Sequence, residues 1–172
     1  MSVSFRTGRQ RRLSIDNGRC SMDDESLMGA ALEEAHRARE AEEVPIGAVV
    51  AVDGEIVGRG FNQPISSGDP TAHAELVAIR EAARRVGNYR LSGARLCVTI
   101  EPCLMCVGAL VHARIATLVF GAAEPKSGAV ISTVRGGELP GHNHRFEVVA
   151  GVREAECRAL MQMFFEGRRG RT

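Results

Sequence analysis

Two short segments, Thr71-Ala72-His73-Ala74-Glu75 and Glu101-Pro102-Cys103-Leu104-Met105-Cys106, each put metal-ligating side chains where a helix is expected to begin. Cys103 and Cys106 are three residues apart, so on one helix their sulfurs share a face. The positive end of that helix lowers thiol pKa and favours the bound anions. His73 adds a neutral nitrogen from the start of a second helix. The three form a His, Cys, Cys set suited to tetrahedral Zn2+, with a fourth position left for water. A fold that uses this set must bring the two helix starts together.

Three protein ligands point to a catalytic rather than a structural ion. Such an ion brings the pKa of its water near neutrality, and a carboxylate that is not itself a ligand can then move the proton. Glu75 has that position. Residues two apart on a helix diverge, so Glu75 need not compete with His73 for the metal. Two other uses of the cysteines are a thioredoxin-like redox dithiol and a four-ligand structural zinc completed by Cys97. The first has no need of a His-x-Glu at another helix start, and Cys97 reads as a buried strand residue.

The rest of the chain describes one domain with a sizeable core. It has 172 residues, 44% of them hydrophobic, and a formal net charge of +1, so no global field marks a partner. Lys126 is the single lysine against many arginines. Arginine suits bidentate phosphate contacts, although a GC-rich genome produces the same bias. The five cysteines, Cys20, Cys97, Cys103, Cys106 and Cys157, form no disulfide framework, and a reducing cytoplasm is expected. No apolar run is long enough to span a membrane.

Residues 1–21 are rich in arginine, serine and glycine and poor in large apolar residues, and are expected to form a disordered basic tail ahead of a domain at 22–172. An amphipathic helix is predicted over 24–42, closed by Pro45. Apolar runs at 46–52 and 56–61 flank Asp53-Gly54 and predict an antiparallel hairpin. A helix to about Val86 is expected after Thr71 as N-cap, with His73 and Glu75 in its first turn. A strand at 96–100, a helix opened by Pro102 and running to about His112, a strand at 115–120, a short strand at 146–149 and a helix at 154–166 complete the pattern. Residues 121–145 have no periodicity. The alternation predicts an α/β fold, a three-layer α/β/α sandwich with parallel strands joined by helical crossovers.

His-x-Glu with Pro-Cys-x-x-Cys is the signature of zinc nucleobase deaminases, tRNA adenosine deaminases among them. Beyond that core, Val44-Pro45-Ile46-Gly47-Ala48-Val49, Asn62, Asp69-Pro70-Thr71, Asn88-Tyr89-Arg90-Leu91, His112-Ala113-Arg114-Ile115, Pro125-Lys126-Ser127-Gly128-Ala129 and Asn143-His144-Arg145 make the chain resemble the bacterial tRNA-specific adenosine deaminase family over residues 24–169. The zinc core alone indicates the wider cytidine-deaminase-like superfamily. The resemblance implies a cytidine-deaminase-like fold with a five-stranded mixed sheet, a homodimer, one Zn2+ per subunit, and hydrolysis of the wobble adenosine of an arginine tRNA to inosine. It also implies that Asn62 contacts the target nucleotide and that the Ala72 backbone lies beside the base. Phe164, Phe165, Arg168, Arg169 and Arg171 offer stacking faces and cations to an anticodon stem-loop. Glu124 stands where the family has Asp, and residues 130–139 depart from the family pattern. A guanine or cytosine deaminase shares the same chemistry, and a non-catalytic zinc module that binds RNA needs the ligands but not Glu75.

Overall fold

The computed structural model describes residues 22–169, together with the backbone of three two-residue strands, Arg6–Thr7, Ile15–Asp16 and Arg19–Cys20. The remainder of the expected 1–21 tail, and Arg171, lie outside the described residues. Helix α1 (Asp24–Glu40) starts where Asp23 accepts the Ser26 N–H at 2.9 Å, with Asp24 and Glu25 in its first turn and Arg37 and Arg39 in its last. Both ends complement the helix dipole. Strands β1 (Gly47–Val52) and β2 (Glu55–Phe61) pair antiparallel around Asp53 and Gly54, whose φ angles of 50° and 81° make the primed turn expected of Asp-Gly.

After the one-turn helix α2 (Pro64–Ser67) come α3 (Ala74–Val86), β3 (Arg95–Ile100), α4 (Leu104–Ala113), β4 (Thr117–Ala122), β5 (Glu147–Ala150) and α5 (Glu154–Arg169). The sheet order is β5-β4-β3-β1-β2. β1 runs antiparallel to β2 and β3, while β3, β4 and β5 are parallel. The mixed five-stranded sheet is therefore as expected, and Arg6–Thr7 adds a short parallel strand beside β5.

Alternation along the strands builds two cores. Ala48, Val50, Leu96, Val98, Leu118 and Phe120 face α3 and α4, whereas Val49, Ala51, Cys97 and Val119 face α1 and α5. This is the three-layer sandwich. One crossover differs from expectation: β3 reaches β4 through α4, but β4 reaches β5 through an irregular segment whose one regular piece is a single 3₁₀ turn, Gly136–Glu138. Pro125, Gly128, Gly136, Gly137, Pro140 and Gly141 fall in that segment and prevent a helix.

The helices sit close to the sheet because small residues meet. A Cβ on Gly60 would lie 2.5 Å from the Ala74 carbonyl oxygen, and one on Gly58 would lie 2.3 Å from that of Ala78. Ala74, Ala78 and Ala82 form the buried stripe of α3 that faces these glycines. Strand β2 thus fixes the height at which α3 begins.

Candidate metal centre

Both cysteines and the histidine are carried by helix starts at one end of the sheet. Cys103 is the N-cap of α4 and Cys106 lies in its first turn. His73 is the N-cap of α3, one position earlier than the expected first turn, and Glu75 follows inside the helix. Thr71 is not the cap. Its N–H and hydroxyl both go to Asp69 Oδ1, at 2.8 and 2.6 Å.

His73 Nδ1 is 3.6 Å from Cys103 Sγ and 3.5 Å from Cys106 Sγ, and the two sulfurs are 3.7 Å apart. Zinc bonds of about 2.3 Å to sulfur and 2.0 Å to nitrogen in a tetrahedron require edges of about 3.8 Å between sulfurs and 3.5 Å between sulfur and nitrogen. The triangle has the dimensions of three vertices of a zinc tetrahedron, so the residues fit the ion. Cys97 is no candidate for the fourth vertex. Its sulfur lies against Met28 Sδ at 3.9 Å, in the core on the opposite face of the sheet.

The electrostatics suit a cation. Hydrogen bonding to Cys106 and to His73 pushes the Cys103 thiol down to about 4, against the effect of its partial burial. Cys106 moves up, because its hydrogen bond with Cys103 and its burial both favour the neutral thiol. A dication bound there would favour the thiolate form of both sulfurs. The Cys103 hydrogen bond raises His73 while burial opposes the rise. Glu75 is 4% exposed, and burial lifts its carboxyl above the ordinary glutamate value.

Asn62 is buried just beyond β2, and its Oδ1 accepts the Ala74 N–H at 3.0 Å. This bond fixes the amide's orientation, and it supplies the cap that the His73 side chain does not. The Asx turn that asparagine favours before a proline is not what this side chain makes. Ala72 is buried too; its carbonyl accepts the Gln63 N–H and its own N–H goes to the Asp69 carbonyl, both at 3.0 Å. The structure thus gathers His73, Glu75, Cys103 and Cys106, with Asn62 and Ala72 built into the turn that delivers α3.

Residues 21–122 match the family model of the cytidine and deoxycytidylate deaminase zinc-binding region. The tRNA-specific adenosine deaminase of Haemophilus influenzae is 46% identical over 147 residues, covering 85% of each chain. The chain belongs to the tRNA-specific adenosine deaminase family. The Bacillus subtilis tRNA-specific adenosine deaminase is 44% identical over 142 residues, 83% of this chain and 88% of that one. A solved structure from work on A-to-I editing by tRNA:A34 deaminases at the wobble position superposes with a TM-score of 0.77 at 45% identity, over 78% of this chain and 98% of that one.

In this tRNA adenosine deaminase family member a groove of about 610 Å³ opens on the α5 side of the sheet, where β3 and β4 end. Ile100, Ala122, Glu124, Lys126, Phe165 and Arg168 are among its walls. Phe165 is 46% exposed and stacks edge-on against Phe164 at 5.4 Å, and the Arg168 guanidinium lies 4.5 Å above the Phe164 ring. Phe165 therefore does not belong to the core, although Cys157 and Leu160, earlier on α5, do. Two further glutamates escaped the sequence reading. Glu43 is fully buried; Oε1 accepts the Ser66 N–H at 2.7 Å, while Oε2 has no hydrogen-bond partner among the described residues. Glu101 was legible only as part of a motif, and its contacts are described below. No helix among the described residues is long and apolar enough to cross a membrane.

Proposed function

We propose that this protein hydrolyses adenosine to inosine at the wobble position of a tRNA anticodon, with an arginine tRNA as substrate. It acts as a cytoplasmic homodimer carrying one Zn2+ per chain on His73, Cys103 and Cys106. The observation that carries this reading is a buried, non-ligating carboxylate, Glu75, beside a zinc-sized triangle in a member of the tRNA-specific adenosine deaminase family. When bound, zinc supplies a water acidified towards neutrality as the nucleophile.

Glu75 takes the water's proton and delivers it to adenine N1 as oxygen bonds to C6. It then takes the remaining proton from the oxygen now bonded to C6 and passes it to the exocyclic amine as the C6–N bond breaks, so that adenosine and water become inosine and ammonia. Burial suits both roles, because lifting the carboxyl from its ordinary value towards neutrality makes its anion a stronger base and keeps its acid form available to donate. Asn62, with Oδ1 committed to Ala74, presents its amide NH2 to the base, and the Ala72 backbone borders the same pocket.

The groove gives the surrounding RNA a place to lie. Its cations meet phosphate and Phe165 offers a stacking face for an unpaired base, the features that single-stranded loops require. Glu124 sits on its wall with Oε1 accepting the Lys126 N–H at 2.9 Å, so the longer acid is folded back on its own loop. The test is a zinc-loaded preparation given two arginine stem-loops, one with adenosine at the wobble position and one with adenosine moved elsewhere in the loop. Inosine is expected in the first alone; equal conversion of both would refute wobble selectivity.

A further inference from the structure

The last residue before Pro102-Cys103 is a glutamate whose charge meets no cation among the described residues. Glu101 is 3% exposed, and its carboxylate is surrounded by donors from one loop. Oε1 accepts the N–H groups of Val130, Ile131 and Ser132 at 3.0, 2.8 and 3.0 Å. Oε2 accepts the Glu124 N–H at 3.0 Å and the Ser132 hydroxyl. Three successive N–H groups converging on one oxygen form an anion nest, here filled by the protein's own carboxylate.

The loop is also tied to the metal-ligand segment. The Ala129 N–H donates to the Pro102 carbonyl at 2.8 Å, and Gly128 forms a β-bridge with Cys103. Gly128 has to be glycine because a Cβ there would lie 2.4 Å from Glu101 Oε2. At one end the loop carries Glu124 and Lys126 onto the groove. At the other, Gly136 packs so tightly on α4 that an added Cβ would lie 3.1 Å from Val107 and 3.3 Å from Leu104. Glu124 and residues 128–132 are thus anchored from within the Glu-Pro-Cys segment.

We infer that Glu101 is a positioning residue for RNA docking: its carboxylate is the template on which residues 124–132 fold, and that loop sets the wall of the groove relative to the metal ligands. A buried carboxylate satisfied by backbone N–H groups and one hydroxyl is costly to keep unless the donors stay in place, and the donors are equally costly to strand. The two therefore hold each other in one geometry. The inference rests on the RNA-deaminase reading above.

The test measures the zinc-loaded full chain and its Glu101→Gln, Glu101→Asp and Ser132→Ala variants with an arginine stem-loop. Gln is nearly isosteric but turns an NH2 towards the converging N–H groups. It should raise KM roughly tenfold, the scale of one stranded buried donor, with kcat within about threefold and zinc content unchanged. Asp keeps the charge and should recover part of the loss. Ser132→Ala removes one exposed hydroxyl donor and should give a smaller KM increase, readable even if Glu101→Gln does not fold. A fall in kcat at constant KM, loss of zinc, or wild-type KM in Glu101→Asp and Ser132→Ala would overturn the inference. Binding of the stem-loop without turnover separates the two readings. A wild-type chain that binds no stem-loop refutes the RNA function, whereas wild-type and Glu101→Gln chains that bind it equally tightly refute the role of Glu101 alone.

Discussion

At the scale of single residues the proposed function divides the site into groups that would hold a metal and one that would move protons, and the two roles can be separated experimentally. Glu75→Gln should lower kcat by about 10²- to 10⁴-fold, the usual contribution of a positioned acid-base group, while elemental analysis still finds one zinc per chain. Cys103→Ser should lose the zinc itself, because one vertex of the 3.5 to 3.7 Å triangle, and with it two of the three edges, disappears with the thiolate. Asn62 combines two tasks. Asn62→Ala strands the Ala74 N–H and should cost about 1 to 2 kcal/mol in denaturant unfolding as well as activity. These residues differ in how visible they are in sequence. His73, Glu75, Cys103 and Cys106 can be read because the spacing of each pair already defines its chemistry. The capping bond of Asn62 and the donors around Glu101 cannot, because they join residues 12 and 23 to 31 positions apart. Thr71 shows how a local rule is displaced: Asp69 takes its hydroxyl, His73 becomes the N-cap with no side-chain cap bond, and Asn62 reaches across to satisfy the helix.

At the scale of elements, the separation between α3 and α4 depends on how closely α3 approaches β2. Gly60→Ala places a methyl group 2.5 Å from the Ala74 carbonyl oxygen and 2.6 Å from the Ala78 N, at the turn that carries His73 and Glu75. The helix must lift. Overpacking of this kind should cost about 1 to 3 kcal/mol in thermal or denaturant unfolding. A displacement of about 1 Å at the catalytic groups should reduce kcat/KM by about 10²-fold. Unchanged kinetics would mean that α3 is positioned by something other than this contact. Hydrophobic period identified α1, apolar runs around Asp53-Gly54 identified the hairpin and its turn, and Pro102 marked the opening of α4, because each is a local pattern. The connection from β4 to β5 was open to misreading for the opposite reason. Its order comes from the Glu101 carboxylate and from packing on α4, which no period within residues 121–145 records.

For the whole molecule, a zinc ion held by His73, Cys103 and Cys106 would link helices from two crossovers, so its removal should be felt beyond the site. An ion that binds only the folded chain stabilises it by about 2.7 kcal/mol when its free concentration is a hundred times Kd. Chelation should therefore lower the melting temperature of the wild type but not of Cys103→Ser, as differential scanning calorimetry can test. The family match and the relatives place the chain among the tRNA-specific adenosine deaminases, and the proposed function assigns selection of the nucleic acid to the groove, its loop and α5. The account is most directly tested by giving the purified, zinc-loaded protein an arginine tRNA anticodon stem-loop and, separately, free guanine and cytosine, and reading the products by mass spectrometry. It predicts inosine at the wobble position and no turnover of the free bases. Deamination of guanine or cytosine alongside an unaltered stem-loop would contradict it.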